Sequence, residues 1–206
     1  TFRQADDSGI VGLAHSILSG KASPPSPLEP HSALPRTHDV HFIRAETPEE
    51  CVRVVCDLYK RVLPKTFGVT PKNDLQVLAP LHRGVGGIGN LNDQIRDAIN
   101  PNGATHIMGS LLFREGDKVI QTRNNYDKDV FNGDLGIISK VDNLNGVLVI
   151  DFDNRLVKYE RMEVTDLQPA YAITVHKSQG SEYPVVIFPL LKQHFMMLQR
   201  NLVYTG

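Results

Sequence analysis

The sequence predicts an α/β domain with a small antiparallel β-barrel inserted before its last strands. Apolar runs of strand length alternate with helical periodicity through residues 1–111, which is typical of a parallel sheet with crossover helices. Short apolar runs with closely spaced turn signals then occupy residues 112–168. Buried strand patterns return in residues 169–206, so we expect this segment to complete the first domain.

The composition is that of a globular chain. The 206 residues are 41% hydrophobic, and no run of 18 apolar residues is present, so we expect no membrane partner. The net charge of −1 argues against a broad electrostatic grip on nucleic acid, though not against a local groove. Cys51 and Cys56 cannot supply a disulfide framework or a four-ligand zinc site, which predicts a cytoplasmic setting and no metal site. The chain begins with Thr rather than Met, and we expect it to be a piece of a longer protein.

The outer segments carry the helix signals and the buried strands. Helices are predicted at 8–18, from residue 47, at 88–99 and at 195–203, and strands at 39–45, 74–81, 170–175 and 185–188. The second helix begins with a hydroxyl N-cap at Thr47, a proline at Pro48 and a carboxylate at Glu50. Both cysteines lie on this helix, where packing as small hydrophobes is the expected role. Residues 21–37 contain five prolines and should form a loop.

The middle segment has the pattern of a barrel. Its strand candidates are residues 118–123, 136–141, 147–152 and 156–160. Turn signals separate them at Asn132-Gly133-Asp134, at 143–146 and at Asp153-Asn154.

Residues 84–89 satisfy the pattern GxGxxG after a predicted strand and before a predicted helix, as in dinucleotide sites. However, no Asp or Glu lies about 20 residues further on to hold a ribose. His82 and Arg83 also separate the strand from the glycines. A turn beside a backbone or phosphate is the favoured interpretation, with a nicotinamide-dependent enzyme as an alternative.

The densest polar run, TVHKSQGSE at 174–182, directly follows a predicted buried strand. In open α/β sheets, ligands bind at the carboxyl ends of strands. This run combines an imidazole, an ammonium, hydroxyls, an amide and a carboxylate, which can bind phosphates, ribose hydroxyls or a nucleic-acid backbone. An ordinary polar loop is the alternative.

The wider stretch ITVHKSQGSEYPVVI resembles motif V of superfamily 1 helicases. Further stretches resemble the RecD/TraA branch of that superfamily, in the order of the family. Residues 2–5 resemble motif IV, and residues 77–84 with 89–92 resemble the segment after it. Residues 116–121, 124–126 and 131–134 resemble the start of an inserted SH3-like barrel. Residues 200–206 resemble the opening of motif VI.

The resemblance implies a RecA-like parallel-sheet domain, the second motor domain, in residues 1–111 and 169–206, with the SH3-like barrel at 112–168. It implies that the parent protein is an ATP-dependent DNA helicase moving 5′ to 3′ on single-stranded DNA in recombination or repair. ATP would lie between this domain and a first motor domain, which would hold Mg²⁺.

The resemblance also implies roles for individual residues. Arg3 matches the motif IV arginine that reaches the γ-phosphate, a catalytic and ATP-binding role. Gly180 and Glu182 match positions near the nucleotide. Contacts with DNA are expected at Thr174 and His176, which match the single-strand side of motif V, and at Lys177, Ser178, Arg83, Arg123, Asn124 and Asn125.

The sequence contains no GxxxxGK[ST] phosphate-binding loop, so we expect this segment alone to be inactive. Its expected partners are single-stranded DNA, the first motor domain and subunits of a nuclease complex. The alternative is a stand-alone single-strand-binding module without ATPase activity. That alternative predicts salt-sensitive DNA binding by the isolated chain.

Overall fold

The computed structural model describes residues 8–21, 25–30, 32–108 and 111–191. Within these ranges, a three-stranded parallel sheet has strand β1 (Leu75–Ala79) at its centre. Its neighbours are β9 (Ala172–Thr174) on one side and β10 (Val185–Ile187) on the other. The parallel α/β sheet expected from the sequence is confirmed.

Five α-helices are described besides this sheet. They are α1 (Gly9–Leu18), α2 (Pro48–Asp57), α3 (Leu63–Phe67), α4 (Pro71–Asp74) and α5 (Ile88–Ile99), with a π-helical segment, Leu58–Val62, joining α2 to α3. The Thr47 hydroxyl accepts a hydrogen bond from the Glu50 amide at 3.1 Å, so α2 begins where its capping pattern predicts. No helix in the described ranges is long and apolar enough to cross a membrane. The helix expected at 195–203 lies outside the described residues.

The apolar face of α2 and its π-helical continuation packs on the parallel sheet. Val55 and Tyr59 are buried in one cluster with Leu75 of β1. The Tyr59 hydroxyl also donates a hydrogen bond to the Leu75 carbonyl at 3.1 Å, which satisfies its polar end. Cys51 and Cys56 pack against this cluster, and burial raises the pKa of Cys56 to about 11, as suits a packing role.

One side chain of helix α5 forms hydrogen bonds with the backbone at the outer edge of β9. The buried Asn92 amide accepts a hydrogen bond from the Ala172 amide and donates one to the Ala172 carbonyl, both at 2.9 Å. It thereby takes the place of a neighbouring strand and satisfies backbone groups that would otherwise be buried without partners.

A five-stranded antiparallel sheet follows, in the order β7-β6-β5-β4-β8. Its strands are β4 (Lys118–Gln121), β5 (Leu135–Asp142), β6 (Val147–Phe152), β7 (Arg155–Tyr159) and β8 (Leu167–Pro169), and a hairpin of β2 (Thr105–Met108) and β3 (Leu111–Arg114) precedes them. The four strands expected in the middle segment are confirmed. In the part of the chain that the structure describes, no ladder joins the outer strands β7 and β8.

The prediction of a strand at 39–45 is wrong. Ile43 makes a single parallel bridge with Leu28, through the Leu28 amide and carbonyl. The next donor of a parallel ladder would be residue 30, which is Pro30 and has no amide hydrogen. The proline-rich segment therefore stops the pairing after one bridge.

Two consecutive charged residues fasten the antiparallel sheet to the α/β domain. The buried Asp117 carboxylate accepts hydrogen bonds from the Tyr171 hydroxyl at 2.9 Å and the Asn100 amide at 2.7 Å. The buried Lys118 ammonium donates to the Leu75 carbonyl at 3.1 Å. The pair therefore attaches at two separate places, Asp117 at Tyr171 and Asn100, and Lys118 at Leu75.

Replacing Asn92 with Ala should lower the free energy of unfolding by about 2–4 kcal/mol, since the Ala172 amide and carbonyl lose their partner. Urea denaturation of the chain measures this difference. Gln94→Ala, on the exposed side of the same helix, is the control and should change stability by less than about 0.5 kcal/mol. Equal losses in the two variants would contradict the role of Asn92.

Lys118 should also make the free energy of unfolding depend on pH in the alkaline range. Burial lowers the pKa of Lys118 from 10.5 to about 8, against the attraction of Asp74. Between these pH values the unfolded chain binds more protons than the folded chain, so this group makes the free energy of unfolding rise with pH, by up to about 3 kcal/mol.

Denaturation between pH 7.5 and about 10 tests this dependence. Lys118→Met should lose the increment, and Lys140→Met, which removes an exposed lysine of β5, should retain it. The same pH profile in the wild type and in Lys118→Met would contradict the expected protonation behaviour.

Candidate functional site

The carboxyl ends of β1 and β9 lie side by side at one edge of the parallel sheet. Their register pairs Ala79 with Thr174, the last residue of each strand. The chain continues from β1 to the exposed residues His82 and Arg83, and from β9 to the exposed His176. The structure therefore brings Arg83 to the same edge as Thr174 and His176, where open α/β sheets bind ligands.

Residues 175–184, which we name the crossing loop, connect β9 to β10 through turns and irregular backbone. Strand β9 ends opposite Ala79, whereas β10 begins at Val185, which pairs with Leu75 at the other end of β1. The crossing loop therefore runs from one edge of the sheet to the other. Thr174 precedes its start, and Glu182 lies near its end.

The first turn of the crossing loop is held by its own side chains. The Thr174 hydroxyl accepts a hydrogen bond from the Lys177 amide at 3.0 Å. The Ser178 hydroxyl, which is buried, donates to the Val175 carbonyl at 2.7 Å. Such local bonds are typical of Ser and Thr. The Thr174 hydroxyl keeps its proton for a ligand, whereas that of Ser178 is used within the turn.

Lys177 joins the crossing loop to the antiparallel sheet. Its ammonium donates a hydrogen bond to the Gln168 side-chain oxygen in β8 at 3.1 Å. Burial lowers the pKa of Lys177. The side chain is half-buried, so one side of it is fixed against the protein while its ammonium can also meet an anionic ligand.

Gly180 marks the far half of the crossing loop. Its φ of +88° lies in the region that L side chains rarely adopt, and nothing lies within 4 Å of the place where a Cβ would be. The turn therefore requires glycine, and the peptide faces open space that a ligand can enter. Glu182 is exposed two residues later.

Arg3 and the stretch 200–206 lie outside the described residues, so their expected roles stay predictions. Among the described residues, no group of three or more His, Cys, Asp and Glu side chains is arranged to hold a metal ion.

The glycines at 84–89 serve the local backbone. A Cβ on Gly87 would lie 2.5 Å from the Arg83 carbonyl oxygen, so this position admits only glycine without a shift of the chain. The Ile88 amide, at the start of α5, donates to the Leu81 carbonyl at 2.9 Å. That donor is used by the turn itself, which weighs against a dinucleotide phosphate at this helix end.

Arg123, Asn124 and Asn125 lie on the antiparallel sheet, in the connection from β4 to β5. The Asn124 side-chain oxygen accepts from the Asn132 amide at 2.9 Å, and that of Asn125 accepts from the Lys128 amide at 3.1 Å. Both asparagines therefore organise the connection. Arg123 is exposed, and contacts with DNA stay a prediction for all three.

Lys118 and Tyr183 are not among the site residues that the sequence predicts. The Lys118 ammonium lies 5.6 Å from the centre of the Tyr183 ring, at the end of the crossing loop. For Lys118 the signal is a charged residue at the start of a strand, directly before the apolar pair Val119 and Ile120. For Tyr183 the signal is its place in the stretch ITVHKSQGSEYPVVI.

Gly87→Ala should lower the free energy of unfolding by about 2 kcal/mol or more, because the added methyl group meets the Arg83 backbone. Urea denaturation measures the loss. Gly12→Ala is the control, since a Cβ there meets nothing within 4 Å and Ala favours a helix interior. A tolerated Gly87→Ala would show that the turn does not depend on this close approach.

Two family models match the chain, one after the other. Residues 91–152 match the SH3 domain of ATP-dependent RecD-like DNA helicases, and residues 169–206 match the UvrD-like helicase C-terminal domain. The first match runs from α5 to β6, and the second contains β9, the crossing loop and β10.

Curated relatives extend the likeness to the whole chain. The ATP-dependent RecD2 DNA helicase of Deinococcus radiodurans is 40% identical over 206 residues, which are 100% of this chain and 26% of that protein. The RecBCD enzyme subunit RecD of Buchnera aphidicola is 26% identical over 224 residues, 100% of this chain and 36% of that protein. The chain thus spans 26% to 36% of the length of these two relatives.

A solved structure shows the same fold. The Pif1 helicase from Bacteroides, in complex with ADP-AlF3 and ssDNA, matches with a TM-score of 0.53 at 18% identity, over 93% of this chain and 44% of that chain. The two successive domain models and the identity over the whole chain identify it as a member of the RecD-like family of superfamily 1 DNA helicases.

Proposed function

We propose that this chain is the second motor domain of an ATP-dependent helicase that moves along single-stranded DNA. The motor domain comprises residues 1–111 and 169–206, with the SH3-like insert at 112–168. The crossing loop carries this proposal. One short segment reaches both edges of the sheet, so it can contact DNA near one end and a nucleotide near the other, which coupled hydrolysis and movement require.

The DNA contacts would lie at the carboxyl edge of the parallel sheet. Arg83 and His176 are exposed there, Thr174 has a hydroxyl proton to donate, and Lys177 adds a positive charge. These groups suit phosphate and sugar contacts, which position a strand without reading its sequence. Ser178 and the group Arg123, Asn124 and Asn125 are further candidates. The near-neutral chain would leave other phosphate contacts to the first motor domain.

The nucleotide contacts would come from Gly180, Glu182 and Arg3. The open space at Gly180 supports the approach of a ligand to its peptide. Arg3 would stabilise negative charge on the transferring phosphoryl group. When bound, Mg²⁺ would supply further positive charge at the phosphates, held by the first motor domain, since this sequence has no GxxxxGK[ST] loop.

The relatives suggest the wider setting of this activity. The Pif1 structure contains single-stranded DNA, and RecD is named as a subunit of the RecBCD enzyme. We extend this to 5′ to 3′ movement in DNA recombination or repair. We also extend it to association with subunits of a nuclease complex.

The full-length protein should hydrolyse ATP much faster when single-stranded DNA is added. Arg3→Ala should reduce kcat about 10³-fold because the transition state loses a positive charge. Arg83→Ala and His176→Ala should each raise the DNA concentration for half-maximal stimulation about tenfold. The measurement is steady-state ATPase at several salt concentrations, with Arg36→Ala, an exposed arginine of the proline-rich segment, as the control.

Two outcomes would contradict the proposal. Full-length protein without stimulation by any nucleic acid would leave a binding module on a motor-like fold. ATP hydrolysis by the 206-residue chain alone would show that the nucleotide site is complete without a first motor domain.

A further inference from the structure

A separate apolar cluster lies where the SH3-like insert, the parallel sheet and the crossing loop meet. Its buried side chains include Ile120 of β4, Ile173 of β9 and Val175 of the crossing loop. Tyr183, near the end of the crossing loop, packs against it. The two ends of the crossing loop are therefore held by one cluster to which the insert contributes.

Two polar contacts also attach the crossing loop to the insert, one near each end of the loop. At the start of the crossing loop, the Lys177 ammonium donates to Gln168 of the insert at 3.1 Å. At its end, the Lys118 ammonium of the insert lies 5.6 Å from the centre of the Tyr183 ring. Gly180 and Glu182 lie between these two attachments.

Lys118 joins three parts of the molecule through one buried ammonium. Lys118 is 3% exposed, so water cannot solvate its charge fully. The Leu75 carbonyl at 3.1 Å and the Tyr183 ring take the place of water, and Asp74 adds an attraction. An ammonium over an aromatic face is more strongly bound when both are desolvated. The Lys118 ammonium therefore links Tyr183 to Leu75, the first residue of β1.

We propose that Lys118 is a positioning residue that fixes the crossing loop to the insert through Tyr183. A displacement of the insert, such as one imposed by a bound strand, then moves the segment that carries Gly180 and Glu182. The link between insert and loop stands on the contacts of Lys118. Its effect on ATP turnover rests on the proposed helicase function.

Hydrogen–deuterium exchange on the full-length protein tests the structural part. Lys118→Met and Tyr183→Leu should speed exchange of the amides at 175–184 about tenfold while exchange in β6 stays unchanged. Tyr183→Phe keeps the ring and removes only the hydrogen bond of the hydroxyl with Ser181, so exchange at 175–184 should rise less than in Tyr183→Leu. Lys140→Met and Tyr126→Leu, at exposed positions of the insert, are the matched controls. Unchanged exchange at 175–184 in Lys118→Met would overturn the proposal.

Lys118→Met is expected to fold, because it replaces a buried charge with an apolar side chain of similar length. A circular dichroism melt of each variant checks this. Faster exchange throughout the protein, rather than at 175–184, would mean that Lys118 serves general stability, and this too would overturn the proposal.

ATP turnover tests the functional part. With saturating single-stranded DNA, kcat should fall about tenfold in Lys118→Met and in Tyr183→Leu, and no further in the double variant, because one contact is removed each time. Turnover without DNA should change less than about twofold. Independent losses that multiply in the double variant would contradict the link. If the wild type shows no stimulation by DNA, the proposed function fails, and exchange at 175–184 still decides whether Lys118 fixes the loop.

Discussion

The burial of two neighbouring charges, Asp117 and Lys118, is the constraint on which the arrangement of the two sheets depends. A buried charge without partners is costly, so each needs polar groups at a fixed place. Asp117 finds the Tyr171 hydroxyl and the Asn100 amide, and Lys118 finds the Leu75 carbonyl. The Arg114 amide of β3 also donates to Asp117, but the other partners belong to the α/β domain, so the hydrogen bonds of both charges are complete only when the insert packs on that domain.

Because the insert packs on the α/β domain, it also contacts the crossing loop. In a parallel sheet, a connection between strands must travel from the carboxyl edge back to the amino edge. Here that connection has ten residues, from 175 to 184, and contains turns rather than a helix. Hydrogen bonds within the segment hold its first turn, and the insert adds further contacts through Gln168, Ile120 and Lys118. An SH3-like insert at this place is thus part of the support of the candidate site.

Sequence patterns predicted the elements whose signals are local. The helix at 88–99 and the strand at 147–152 have the expected bounds, because apolar periodicity and turn residues define both. The strand expected at 39–45 failed because its partner segment contains Pro30, and pairing depends on a partner that periodicity does not reveal. Asn92 gave no signal either, since one polar residue on an amphipathic helix looks the same whether it faces water or the backbone of Ala172.

For the candidate site too, some features follow from the sequence and others only from the tertiary structure. The sequence by itself determined the family, the polar run at 174–182 and its position after a buried strand, because residue identity and order suffice for these. Only the tertiary structure decided which of those groups are available: His176 is exposed, whereas the Ser178 hydroxyl is used by the Val175 carbonyl. It also decided that Lys118 and Tyr183 meet, although 64 positions separate 118 from 183 along the chain. Availability and contact depend on distances between segments, which are set by packing rather than by local pattern.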